Sequence, residues 1–259
     1  MRIRSRPKSV PGMIVFLVII GFVVFGRMNR GSRNSGGGQG GAPAAGRNAI
    51  DLPSVDQRLC TAVAIVVDTS GSMSQTVRDD AGRKRAKHEI AREALQGIIA
   101  YTAEWKKQHA ERKLELGIFG FSSGVAPILP MGEFDADRAT AAIAGYPPPG
   151  GGTAIGRALE TGAKSIYGTG CVRKFIVCIT DGENTSGPKP ERVAQQLFTQ
   201  TGGEVELQFI AFDIEAKRFS FLSAVNGHVT EASDGPQLQA RLSEIYEKRI
   251  LAESEAEKP

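Results

Sequence analysis

The stretch LCTAVAIVVDTSGSMS, residues 59–74, holds the decision about the fold. Its first nine residues form a short run of apolar and β-branched side chains without polar alternation, as a strand buried on both faces requires, and such strands belong to parallel sheets clad by helices. The run stops at Asp68, and Ser70 and Ser72 follow at two-residue spacing. Oxygen side chains gathered where a buried strand ends suit a hard cation, a phosphate or a plain helix cap.

Three more runs share the pattern: LELGIFGF (114–121), KFIVCIT (174–180) and VELQFIAF (205–212). Between them lie helix-like segments. In 84–109, Ile90, Ala94, Leu95, Ile98, Ile99 and Trp105 fall mainly on one stripe, with Lys, Glu and Arg opposite. Segments 135–144, 154–167, 190–200 and 235–250 repeat that alternation. One connection differs: only SSG separates LELGIFGF from VAPILPM (125–131), too short for a helix, so an antiparallel hairpin is expected. Two prolines place its second strand at an edge. The sequence therefore predicts an α/β fold with a doubly wound, mostly parallel sheet and one antiparallel edge strand. Ligands of such sheets bind beyond the carboxyl ends of strands near the topological switch point, and Asp68 stands at one such end.

The 259 residues allow one domain of about 200 residues with appendages. The formal charge of +4 is unevenly placed, because residues 1–50 carry eight Lys/Arg and no acid. The remaining 24 Lys/Arg face 28 Asp/Glu in residues 51–259, a net of −4, so nucleic-acid binding is not expected of the folded part. Between Lys8 and Arg27 lie 18 uncharged residues, which as a helix would cover roughly 27 Å. This predicts an uncleaved membrane anchor, with the mild excess of preceding cations placing the amino terminus in the cytoplasm and the domain outside it, in the periplasm of a bacterium with two membranes. The expected organisation is a cytoplasmic segment and anchor at 1–30, a Gly-rich tether at 31–56, the α/β domain at 57–250 and a charged tail at 251–259.

Three loops would converge beyond the strand ends. The first holds Asp68, Ser70 and Ser72, the second is PPPGGGTAIG with Thr153, and the third is TDGENTSG with Asp181. Two carboxylates and three hydroxyls, with no His or Cys, match a hard divalent cation. DTSGS at 68–72, GGT at 151–153 and ITDGE at 179–183 resemble the three parts of the metal-ion-dependent adhesion site of the von Willebrand factor A domain family, over roughly residues 57–250. That resemblance implies Mg²⁺ or Mn²⁺ as cofactor, with Ser70, Ser72 and Thr153 as direct ligands and Asp68 and Asp181 anchoring water or holding the hydroxyls. It further implies a protein partner whose Asp or Glu completes the shell, and no enzymatic activity. In that fold the strands bearing Cys60 and Cys171 are parallel neighbours, which brings the two cysteines together at the end opposite the metal. A disulfide between them and a pair of free thiols both remain open.

Rival chemistries fare worse. A haloacid-dehalogenase-type phosphotransferase wants an acid where Ser70 stands, and a P-loop wants Lys-Ser/Thr where Arg157 and Ala158 follow the glycines. GFSSG at 120–124 matches the G-x-S-x-G of α/β-hydrolases, with Ser122 as nucleophile and Asp181 and His228 following in order. A nucleophile elbow must lead into a helix, however, and residues 125–131 read as a strand. A structural assembly subunit that leaves its metal site unused is the remaining alternative. The charged stretch QTVRDDAGRKRAKHE (75–89) could cover the site, bind a partner or be a solvated first turn, of which the last is the plainer reading, and Asp213 could approach the site or cap the next helix, with the cap preferred.

Overall fold

The computed structural model describes residues 49–78 and 82–252. Their elements run, in chain order, β1 (Arg58–Asp68), β2 (Thr76–Arg78), β3 (Lys84–Ala86), α1 (Lys87–Gln108), β4 (Leu114–Phe121), β5 (Val125–Glu133), α2 (Ala136–Ala144), α3 (Ile155–Tyr167), β6 (Cys171–Thr180), α4 (Pro190–Thr201), β7 (Val205–Phe212), β8 (Gly227–Ala232) and α5 (Gly235–Ile245). A 3₁₀ turn, Gly71–Ser74, follows β1, and another, Ala216–Ala224, precedes β8.

Six strands form the central sheet in the order β5-β4-β1-β6-β7-β8. All neighbours are parallel except β4 and β5, the expected edge hairpin. Strand periodicity divides β1 between two cores. Val63, Ile65 and Val67 meet α1, α2 and α5 on one face, whereas Ala62, Ala64 and Val66 meet α3 and α4 on the other. Because both faces are covered, β1 had to be apolar throughout, and that continuous run is what made the parallel sheet readable in the sequence.

The chain leaves β1 toward β4 on one side and later returns to β6 on the other, so the crevice at the ends of β1 and β6 is the switch point. Val67 pairs with Ile179 across it, which sets Asp68 beside Thr180 and puts Asp181 one residue beyond. At the opposite end, Cys60 and Cys171 form a disulfide with their Cα atoms 4.7 Å apart. The 182–189 loop packs hard on the start of α3: a Cβ on Gly156 would lie 2.1 Å from the Pro188 carbonyl oxygen. No residue but glycine fits there without moving backbone.

Several expectations need correction. The described part of 75–89 is not a solvated helical turn: Thr76–Arg78 and Lys84–Ala86 pair as an antiparallel ribbon, and the helix begins at Lys87. A short strand, β8, adds a sixth member that its half-exposed sequence GHVTEA concealed. Ile50, just ahead of the domain, exchanges hydrogen bonds with the Gln200 side chain of α4 at 3.0 and 3.2 Å. The expected membrane localisation, with the domain outside the cytoplasm, is not supported, because no helix of the described residues is long and apolar enough to cross a membrane. The apolar stretch on which that expectation rested, between Lys8 and Arg27, lies outside the described residues.

Candidate metal centre

Asp68 terminates β1 with its side chain wholly buried and both oxygens engaged. Oδ1 accepts the Ser70 N–H at 2.8 Å, bending the chain out of the strand, and Oδ2 accepts the Thr180 hydroxyl at 2.6 Å from the neighbouring strand. Burial raises the Asp68 carboxyl to about 6 against these hydrogen bonds, with a smaller push from Asp181. Asp68 is thus a structural clasp between β1 and β6 as well as a charge.

From that clasp the hydroxyls run in series. Ser70 Oγ lies 2.9 Å from Ser72 Oγ, and Ser72 Oγ donates to Asp181 Oδ1 at 2.7 Å. The second loop is laid against the first by Gly71 N–H to Gly151 O at 3.0 Å and Gly150 N–H to Thr69 O at 2.8 Å. Gly151, at φ 81°, makes the turn that a side chain would strain. The third loop grips the second, since the Thr153 carbonyl accepts N–H groups of Thr185 and Ser186 at 2.8 and 3.2 Å. Thr153 and Ser72 face a common point: a methyl on Gly182 would stand 3.6 Å from Thr153 Oγ1 and 3.8 Å from Ser72 Oγ. The structure therefore brings together all five residues singled out in the sequence, from three loops.

Among the described residues, no group of three or more His, Cys, Asp or Glu could hold a metal by itself. The donor set at this edge is of another kind, two carboxylates behind three hydroxyls, all of them hard oxygens. That chemistry fits Mg²⁺ or Mn²⁺ better than a thiolate- or imidazole-seeking ion.

Three participants were missed or misread in the sequence. Thr180 holds Asp68, as described. Lys87, the first residue of α1, sends its ammonium inward, 3.0 Å from Asp181 Oδ2 and 2.8 Å from Asp213 Oδ2, with only 4% of its side chain exposed. Burial works against that charge, but the hydrogen bonds to Asp213 and Asp181 outweigh it and raise the lysine above its ordinary value. Asp213 does not cap the following helix. It adopts φ 56°, uncommon for a residue with a side chain, and turns its carboxylate to Lys87. One signal for Lys87 was available: a cation in the first turn opposes the helix dipole, so it needs a compensating anion.

The hydrolase reading fails on distance. Ser122 sits in the turn into β5, its N–H bonded to Gly124 O, while His228 lies exposed on β8 at the other side of the sheet. Four strand spacings separate β4 from β8, roughly 19 Å. Asp181 is already committed to Ser72 and Lys87.

Comparison with known proteins agrees with this fold. Residues 63–183 match the family model of the von Willebrand factor type A domain. No curated protein matches the chain. Among solved structures, the PilB minor pilin from Streptococcus sanguinis superposes with a TM-score of 0.62 at 17% identity, covering 80% of this chain and 65% of that one. The von Willebrand factor type A protein from Catenulispora acidiphila gives 0.55 at 22% identity over 72% of this chain and 42% of its own. Proximal thread matrix protein 1 from the mussel byssus, with a zinc-occupied MIDAS motif, gives 0.54 at 16% identity over 73% and 47%. The chain thus spans less than two thirds of the length of each of these structures, and at such identities the likeness is one of fold. The matched segment and the shared architecture identify a von Willebrand factor type A fold in this chain.

Proposed function

We propose that the chain is a metal-dependent protein-binding module and not an enzyme. The observation that carries this reading is the convergence of Ser70, Ser72 and Thr153 in front of Asp68 and Asp181 at the switch point of the sheet. Ser70, Ser72 and Thr153 would hold Mg²⁺ or Mn²⁺, with Asp68 and Asp181 keeping their hydroxyls in place. An ion bound mainly by neutral oxygens supplies a position for one further anionic oxygen, and a partner's Asp or Glu carboxylate fits that need. The zinc-occupied motif of the mussel protein supports the use of this fold for holding a divalent ion.

The chain's own residues account for the rest. Asp68 fixes the first loop through the Ser70 N–H, Asp181 orients the Ser72 hydroxyl, and the backbone bonds around Thr153 lock the second and third loops together. Mn²⁺ or Mg²⁺ is expected to raise the melting temperature of the full chain, and Asp68→Ala combined with Thr153→Ala to abolish the rise. A partner captured by crosslinking should be lost with chelator. Equal capture with and without chelator would refute the metal-dependent reading in favour of a structural subunit.

A further inference from the structure

The lysine at the start of α1 is the group this site does not need for holding an ion. Its ammonium is buried against two carboxylates, one of them the same Asp181 that orients Ser72. Helix formation does not explain the position: Ala86 before it offers no side-chain cap, and a cation in the first helical turn meets the positive end of the dipole. The location is fixed from outside the helix. Lys87 N–H donates to Gln75 O at 2.9 Å, closing the β2–β3 ribbon directly behind the serine turn, and the neighbouring His88 ring lies 3.3 Å from Met73 O. The ammonium is thus tethered within the carboxylate cluster by the same segment that presents Ser70 and Ser72.

Resting on the metal-binding reading, we infer that Lys87 is a built-in counter-cation that competes with a divalent ion for the negative charge of this site and so sets its affinity. Asp68, Asp181 and Asp213 carry three formal negative charges, and Lys87 cancels one of them. By engaging Asp181 Oδ2 it also leaves Oδ1 as the oxygen turned toward Ser72. Lys87 is therefore a positioning and affinity-setting residue rather than a ligand. Asp213, its side chain 45% exposed, is the second anchor that keeps the ammonium in place.

The test is titration of the metal-free full chain with Mn²⁺ alone, read by calorimetry and by melting temperature, for wild type, Lys87→Met, Lys87→Arg and Asp213→Asn. Without metal, Lys87→Met should melt roughly 10 °C lower, because Asp181 loses its buried counter-charge. Its Mn²⁺ affinity should rise by about tenfold or more, since a unit charge at close range in a poorly solvated site is worth at least that much. Its thermal shift with Mn²⁺ should exceed that of wild type. Lys87→Arg should bind as weakly as wild type, and Asp213→Asn, at a half-exposed position, more weakly still. A response in Lys87→Met where wild type has none would also support the inference. Equal or weaker binding by Lys87→Met, or undiminished binding by Asp213→Asn, beside a responsive wild type would overturn it while leaving the metal site standing. Silence in every variant would overturn both.

Discussion

Replacing Thr180 by valine tests whether the site rests on a clasp between strands. The two side chains are nearly equal in volume, so packing at this fully buried position survives and only the hydroxyl is lost. That hydroxyl has one proton, and the 2.6 Å contact with Asp68 Oδ2 takes it in preference to the Gly182 carbonyl at 3.3 Å. The same oxygen accepts the Gly182 N–H at 3.3 Å. Valine would leave a buried carboxylate oxygen and one N–H without these partners. A hydrogen bond to a charged group contributes about 1.5–3 kcal/mol, and the weaker second bond adds less. For a domain of this size the loss corresponds to a fall in melting temperature of about 4–10 °C. Urea denaturation in EDTA measures the effect without any contribution from metal, and an unchanged denaturant slope would confirm that the fold itself is intact. Thr180→Ser, which keeps the hydroxyl and deletes a methyl, should cost about 1 kcal/mol. A valine variant within about 0.5 kcal/mol of wild type, or a serine variant as unstable as the valine one, would refute the clasp.

The disulfide closes a loop with a sequence separation of 111, for which chain entropy alone gives about 4.7 kcal/mol. Mild reduction, or Cys60→Ser with Cys171→Ser, should move the urea midpoint accordingly, and a shift below about 1 kcal/mol would contradict that account. Cys178 serves as reporter: buried inside β6, its thiol pushed up chiefly by burial, it should react with alkylating reagents only after unfolding. At the same end of the sheet, the hydrogen bond from Lys174 at 3.2 Å is the main influence lowering Glu204 below the usual carboxylate range. An acid lowered on folding stabilises above its unfolded-state value and loses that contribution as pH falls through its folded value. Because the Glu204 side chain is about half exposed, Glu204→Gln should cost under about 1 kcal/mol near pH 7, and the difference from wild type should vanish under acidic conditions. A difference that grows on acidification would refute the sign.

The placement of the candidate site residues was legible in the sequence wherever they sit at the end of a regular element. Asp68 ends a run of buried apolar residues, Asp181 follows another, and Thr153 closes a glycine turn before α3. Thr180 was hidden because a threonine at a strand end is ordinary, and its partner lies 112 residues away. Lys87 was hidden among the basic residues of 83–87, where four of five carry a positive charge and any one of them reads as solvated. Asp213 was assigned to the helix after it because local capping is the commoner fate of an acid there. Its turn to Lys87 needs a backbone conformation that sequence periodicity does not encode.

By itself, the sequence determined the layers: apolar runs of strand length, amphipathic segments between them and one connection too short for a helix specify a mostly parallel sheet with a hairpin edge. These are local signals, set by which faces must avoid water. Only the tertiary structure decided which charges meet. The register of β1 on β6 sets Thr180 on Asp68, the β2–β3 ribbon turns Lys87 inward, and the left-handed Asp213 completes its cage. Electrostatic partners are chosen by distance in space, and that distance exists only after the helices have packed.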